Sequence, residues 1–370
     1  MTGFRTAHAV VDDWRTAAER VGAGLSGNAG AERPEMGFVY VSDRFAGSYA
    51  DIVASLRQGT GVRDWTGSVG LGVLADDEEL NDRPAIAAAV LSLPAGSWRL
   101  VADSAVLPTA DGAGPGDDAL FPVAVVHADA GHADTSAQIA RLAERSGAFL
   151  VGGLASSRQA LPPAPPPFTG SAVSGVLLRE DVALRTGLSQ GCTPVGPVHR
   201  VSGGRDQVIT SLDGRPALDV FYEDIGDDLA RDPARIGGYI HAALPLADSD
   251  RADYLVRNLV GIDPQRRWLA VGADIAPGDR IMFVRRDAQS ARQDLDRMLA
   301  DVCRRLDAPP TGALYFSCVA RGERLFGQPG TELAMIRHAI GPLPLLGFAC
   351  GGEICNGRIY AYTGILVVFT

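Results

Sequence analysis

The sequence predicts an α/β protein, with α+β as the neighbouring class, in which βαββ modules repeat on mixed β-sheets across two domains. Three observations predict it. The chain has 370 residues, enough for two or three domains and for a core that needs neither disulfide nor metal. Its 44 glycines and 23 prolines exceed average usage and point to many turns rather than a helical bundle. Third, one plan occurs three times: an apolar strand, a polar turn ending in glycine, a helix, a glycine-marked strand, a loop and a last apolar strand.

The chain opens on apolar residues at helical spacing, Val10, Val11, Trp14, Ala17, Ala18, Val21 and Leu25, which predict an amphipathic helix within 1–30 rather than a leader. The first module starts with strand Phe38–Ser42 and turns at Gly47. It continues with a helix over 48–58, a strand over Val69–Leu74 and a strand from Ala87 to Leu93. The second has strand Val123–Val126, turn Gly131, a helix over 134–145, strand Phe149–Gly153 and a closing strand over 172–178. The third has strand Ala313–Ser317, turn Gly322, a helix over 331–340, strand Leu345–Phe348 and a closing strand over 364–369. Gly47 to Gly70, Gly131 to Gly152 and Gly322 to Gly347 are similar intervals, which supports duplication. Strand–helix–strand implies a right-handed parallel crossover, and the added strand an antiparallel neighbour.

Between the second and third modules, Val208–Leu212 reads as a strand, and Pro216 opens a helix where its missing N–H costs nothing. Tyr254–Val260 and Trp268–Val271 read as a hairpin around Asp263-Pro264. Ile281–Val284 reads as a strand, followed by a helix over 289–305. The proline-rich run 161–167 falls inside the second module, as an extended solvated loop, so the domain boundary is placed at Gly191–Pro197. The domains expected are 31–192 and 193–370.

All the cations are arginines, and the net charge of −10 argues against binding nucleic-acid phosphates. No apolar run is long enough to span a membrane. Five cysteines without a secretion signal fit a reducing cytoplasm. Phosphate loops, dinucleotide fingerprints, nucleophile elbows and zinc-protease motifs are all absent. No cofactor and no metal are expected.

The turn glycines align Asp43, His127 and Cys318, each four residues earlier, at the carboxyl ends of parallel strands, where open α/β sheets bind ligands. The plainer alternative is that such residues only cap the next helix. Around Cys318 the sequence offers Arg321, suited to a carboxylate, and Gly322. Gly347, Cys350, Gly351, Gly352 and Glu353 form the other polar cluster, whose paired glycines let a ligand approach the backbone. Arg286 is expected to face the same crevice. Arg321 and Glu353 would suit the two charges of an amino acid, or would simply pair with each other. His199 and His241 read as structural, and Asp287 as a helix N-cap.

Phe316-Ser317-Cys318-Val319-Ala320-Arg321-Gly322, Leu325-Phe326-Gly327 and Pro344–Ile354 resemble the C-terminal domain of the FIST (F-box and intracellular signal transduction) family. Leu212-Asp213-Gly214-Arg215-Pro216-Ala217 resembles that domain's early motif, and Phe38–Pro94 is similar to the FIST N-terminal domain. The resemblance implies a sensor of a small molecule such as an amino acid, and no catalytic activity is expected. The sequence contains no kinase, cyclase, methyl-accepting or F-box segment, so the signalling output is expected on a separate protein. A thiol- or carboxylate-dependent enzyme using Cys318, Cys350 and Glu353 is the alternative, as is a scaffold docking a partner through the 161–167 loop.

Overall fold

The computed structural model describes residues 3–26, 35–101, 121–159, 172–246 and 253–370. The chain forms two compact units. The first comprises Met1–Ser189, Leu295–Ile359 and Thr363–Thr370, and the second Gln190–Asp294 with Tyr360–Tyr362. The first unit's leading stretch ends at Ser189, and the second unit begins at Gln190. Most of the third module, after the second unit in sequence, belongs to the first unit.

The N-terminal reading needs correction. Residues Gly3–Val10 form strand β1, and the helix α1 begins only at Trp14 and runs to Ser26. β1 is an edge strand whose middle residues are half-buried, so it lacks the apolar run that marks a central strand. The first module then has β2 (Met36–Ser42), α2 (Tyr49–Thr60) and β3 (Asp64–Gly70). A hairpin of β4 (Gly72–Ala75) and β5 (Glu78–Asn81) comes next, then β6 (Ala85–Ser92). The strand expected over 69–74 is thus two strands, broken at Leu71.

The second module follows β7 (Trp98–Val101) with β8 (Val123–Ala128), α3 (Thr135–Ser146), β9 (Phe149–Leu154) and β10 (Val173–Leu178). α2 and α3 both end on a left-handed glycine, Gly61 and Gly147, whose N–H closes the last turn. The 161–167 loop lies outside the described residues.

After β11 (Leu184–Gln190) come β12 (Cys192–Pro194), β13 (His199–Arg205), β14 (Val208–Leu212) and β15 (Arg215–Pro216). Helices α4 (Ala217–Ile225), α5 (Asp227–Ala230) and α6 (Pro233–Ile236) lead to β16 (Ile240–Pro245), β17 (Tyr254–Asp263), β18 (Trp268–Val271) and β19 (Arg280–Arg286). The strand order β19-β13-β14-β18-β17-β16 closes on itself, because β16 also pairs with β19. The second unit is therefore an antiparallel barrel, with α4 packing Phe221 on Phe283 at 4.8 Å.

The third module comes after α7 (Ala288–Arg304). It consists of β20 (Gly312–Cys318), α8 (Glu323–Phe326), α9 (Thr331–Ile340), β21 (Leu345–Cys350), β22 (Glu353–Cys355), β23 (Arg358–Tyr360) and β24 (Thr363–Phe369).

All three modules have one topology. Each places its first strand between a parallel second strand and an antiparallel last strand: β6-β2-β3, β10-β8-β9 and β24-β20-β21. The duplication predicted from sequence is present, but the register corrects its alignment. The equivalent glycines are Gly67, Gly152 and Gly347, which face Val39, Val126 and Tyr315 across the parallel pair. A Cβ at any of the three would lie 1.7–1.8 Å from that neighbour's carbonyl oxygen. Only glycine fits such a close backbone approach. Gly70, used in the sequence alignment, is three residues too late.

The modules also exchange segments in a cycle. β4 of the first module pairs with β21 of the third, and β22 of the third pairs with β9 of the second. The segment after β9 closes the ring on the first module, where Ser156 N–H donates to Val69 O at 3.1 Å. At the centre meet the three equivalent residues Tyr40, His127 and Phe316, with ring centroids 5.5–6.3 Å apart. Phe348 stacks on Tyr40 at 4.8 Å.

Candidate functional site

The third module's first strand ends in a polar turn, and there the structure has a cavity of about 190 Å³. Its walls come from three places. Ser317, Cys318, Arg321 and Gly322 belong to the end of β20 and its turn, Glu79, Asn81 and Asp82 come from the first module's hairpin, and Arg158 comes from the segment after β9. The site is thus built where the modules exchange hairpins, at the carboxyl ends of the parallel strands.

Arg321 is 2% exposed and bound to Glu332 of α9 at 2.8 Å, not to Glu353. Its guanidinium also reaches the Ser189 hydroxyl at 3.4 Å and lies over the Phe326 ring. Glu332 in addition accepts from the Tyr315 hydroxyl at 2.5 Å, the Ser317 hydroxyl at 2.8 Å and the Gly322 N–H at 3.2 Å. Burial pushes the Glu332 carboxyl up, but the Arg321 charge and these donors outweigh it and hold the group below its ordinary value. Gly322 must be glycine, since its φ is +56° and a Cβ would lie 2.0 Å from Glu79 Oε1.

Cys318 is the last residue of β20 and 7% exposed, on the cavity wall. In register beside it lies Cys350, fully buried and not part of the wall. Burial pushes the Cys350 thiol well up, with Glu353 and Cys318 adding to it. Glu353 is also fully buried. Its Oε2 accepts from Thr363, by the N–H at 3.1 Å and the hydroxyl at 2.7 Å. Its Oε1 has no partner in hydrogen-bonding geometry. Burial pushes this carboxyl up to about 8, although Thr363, Arg321 and the Cys318 thiol all favour the ionised form.

The other residues singled out in the sequence lie elsewhere. Gly347, Gly351 and Gly352 do not line the cavity. Gly347 serves the backbone approach described above, and Gly351 N–H and Gly352 O bond Leu154 across to the second module. Asp43 is nearly buried and pairs with Arg158 at 2.7 Å, fixing from behind an arginine that reaches the cavity rim and Asp82. Its hydrogen bonds from Arg158 hold its carboxyl down despite partial burial. His127 lies within β8, bonded to the Tyr40 hydroxyl at 3.0 Å and near the Thr66 hydroxyl at 3.3 Å. Burial pushes it down to about 3, so it is a neutral core residue. Asp43, His127 and Cys318 are therefore not equivalent, and the register pairs Cys318 with Ser42 and Asp129 instead. Arg286 belongs to the barrel unit, where it lies over the Tyr362 ring at 5.5 Å, and it lines no part of this cavity.

Sequence reasoning missed Glu332, Arg158 and the Glu79–Asp82 wall. Glu332 lies in the first turn of α9, and Glu79 and Asp82 in the acidic stretch between the apolar strands of the first module. The signal for the latter was that the loop is bracketed by short apolar pieces, Val73-Leu74 and Leu80, which pair as a hairpin.

The cavity carries both signs of charge, from Arg158, Arg321 and Arg324 against Glu79, Asp82, Glu323 and Glu332. Among the described residues no group of His, Cys, Asp and Glu side chains is placed to hold a metal ion, and no helix is long and apolar enough to cross a membrane.

Three comparisons bear on this arrangement. The FIST N domain is matched over residues 35–215 and the FIST C domain over 217–356. The limit between them falls at β15, within the barrel unit, so neither matched domain coincides with a structural unit. Uncharacterized proteins of Mycobacterium tuberculosis (Rv0628c) and Mycobacterium bovis (Mb0898c) are each 32% identical to the chain. The matches run over 194 and 191 residues, 49% of this chain in both cases, and cover 50% and 49% of those proteins. The chain thus spans about half the length of the curated relatives it matches. A crystal structure of cyanuric acid hydrolase from A. caulinodans covers 100% of the chain and 99% of its own at 11% identity, but a TM-score of 0.32 is too low to support a reading of function. FIST domains are sensory domains associated with signalling, and by the span of the two matches this chain belongs to the FIST family.

Proposed function

We propose that the chain is a cytoplasmic sensor that binds a small polar molecule in the cavity beside Cys318 and passes the signal to a separate output protein. The observation that supports this reading best is the cavity's construction. Its wall is assembled from all three modules, so a ligand there would bridge segments far apart in sequence. A bridging ligand shifts the whole unit's stability by mass action. The two signs of charge suit an amino acid. Its carboxylate would meet Arg324 and Arg158, and its ammonium would meet Glu79, Asp82 and Glu323. This differs from the pairing expected from sequence, because Arg321 is already satisfied by Glu332 and Glu353 lies outside the wall.

Thermal-shift screening against amino acids and related metabolites, followed by isothermal titration, tests the proposal. A ligand that stabilises the protein and is not consumed over hours is the expected result. Arg324→Ala, at an exposed position, should weaken its binding roughly 10-fold, a loss of about 1.4 kcal/mol. Equal affinity in Arg324→Ala and Arg158→Ala would remove this cavity as the site. Steady consumption of the ligand would favour an enzyme.

A further inference from the structure

Glu353 is out of place in its own scaffold. The cyclic exchange of hairpins gives each position in β22 a counterpart in β4: Ile354 faces Gly152 as Leu74 faces Gly347, and Glu353 faces Gly153 as Val73 faces Phe348. The fold is satisfied at this position by an apolar side chain, fully buried in the case of Val73. A carboxyl there costs burial energy, and its Oε1 has no partner in hydrogen-bonding geometry. Against that carboxyl lies the Cys318 thiol, close enough to influence its acidity and itself on the cavity wall. Thr363 donates twice to Oε2, which fixes the carboxyl's orientation and leaves Oε1 to take a proton. Arg321 lies close enough to favour negative charge on Glu353.

We infer that Cys318 is a covalent modification site for small carbon electrophiles entering the cavity, with Glu353 Oε1 as the acceptor of the thiol proton. With an α,β-unsaturated carbonyl compound, sulfur forms a bond to the β-carbon and the carbon–carbon π pair moves toward the α-carbon. The thiol proton passes to Glu353 and then, through water, to that α-carbon, so no oxidant or reductant is required. Glu353 must be ionised to accept the proton, and its ionised fraction grows as pH rises towards about 8. The inference rests on the cavity as a ligand site and adds to its reversible ligand a second, covalent class.

Iodoacetamide is the probe, since its reaction forms a carbon–sulfur bond, expels iodide and releases one proton. The native protein is labelled between pH 6 and 9, and each of the five cysteines is followed by peptide mass spectrometry. Cys318 should react at least 10-fold faster than the buried Cys350, and faster than the more exposed Cys303, at a rate that climbs up to about pH 8. Glu353→Gln should slow Cys318 at pH 8 by 10-fold or more and shift its pH profile towards that of an ordinary thiol, while Cys303 is unchanged. Labelling of Cys303 with Cys318 untouched in the wild type would overturn the inference without any variant, as would an identical rate and profile in Glu353→Gln. Either failure would leave the stabilising effect of a reversible ligand and its dependence on Arg324 in place, so the two readings fail separately.

Discussion

Glu353→Gln also makes a sharp prediction about stability. The protonated carboxyl and the amide have nearly the same shape, and the amide oxygen can keep both donors from Thr363. What the substitution removes is the capacity to ionise. Burial raises the folded-state value of Glu353 from 4.5 to about 8, so between these limits the folded protein holds a proton that the unfolded chain has released. Stability then falls as pH rises, by up to about 1.4 kcal/mol per pH unit in that window. From pH 5 to pH 8 the wild type should lose roughly 3 kcal/mol relative to the glutamine variant, and beyond pH 8 the difference should level off. Urea unfolding followed by circular dichroism at pH 5, 6.5, 8 and 9 measures it. Other groups titrate alike in the two proteins and cancel in the difference. Wild type and variant changing in parallel over pH 5 to 8 would refute the reasoning, and a variant less stable at pH 8 would show that Glu353 is ionised and well paired.

Arg321→Ala should destabilise the protein by about 3–5 kcal/mol, because it strands the buried Glu332 charge; chemical denaturation measures this. Ala at Gly67, Gly152 or Gly347 should each cost more than about 3 kcal/mol, since each places a Cβ on a neighbouring carbonyl oxygen, whereas Ala at the open position Gly47 should be mild; thermal melts compare the four. His199 sits between Asp213 at 2.7 Å and Asp224 at 2.9 Å. Burial lowers its affinity for the proton, but the two carboxylates outweigh burial and raise it above 6.5. Its contribution, about 1 kcal/mol for a partly solvated pair, is fully present below pH 6.5 and is lost as pH rises through the higher folded value. His199→Gln should therefore be most destabilising near pH 5.5 and nearly neutral at pH 9, as read by the barrel unit's melting.

The modules were legible in the sequence because their central strands are buried on both faces and read as continuous apolar runs, as in Val123–Val126 and Ala313–Phe316. Edge and exchanged strands were not. β1 mixes Arg5, Thr6 and His8 with alanines, and β22 is three residues long, with its partner some 200 residues away. The barrel's closure was hidden for a similar reason, since the β16–β19 pairing joins strands separated by two others. Within the site, Cys318, Arg321 and Gly322 stood out because polar residues directly after an apolar strand are conspicuous. Glu332 and Arg158 did not, because what matters about them is their tertiary partner: Arg321 for one and Asp43 for the other. The amino-acid pairing of Arg321 with Glu353 was chemically reasonable from sequence order, yet only the structure shows that α9 brings Glu332 closer.

Triplication explains how such a site can coexist with a stable fold. Two elements the scaffold requires recur in all three modules, a glycine at the parallel crossing and a ring at the centre, and the first and third modules each lend a hairpin to a neighbour. The positions that differ are the chemically active ones. Where the third module has Cys318, the first has Ser42, whose hydroxyl accepts from the Ala85 N–H at 3.1 Å, and the second has Asp129, which caps the Gly131 N–H at 2.8 Å. In both, the side chain is used up by the local turn. Where the third module has Glu353, the first has Val73. The third module therefore holds a thiol where both other modules have a residue used by its turn, and a half-satisfied carboxyl where the first module has valine. The double substitution Cys318→Ser with Glu353→Val, which returns both positions to the first module's choice, should leave the fold intact, raise stability above wild type at pH 8, and abolish alkylation at this cavity. Loss of folding in that variant, with each single variant folded, would mean that the pair is part of the scaffold after all.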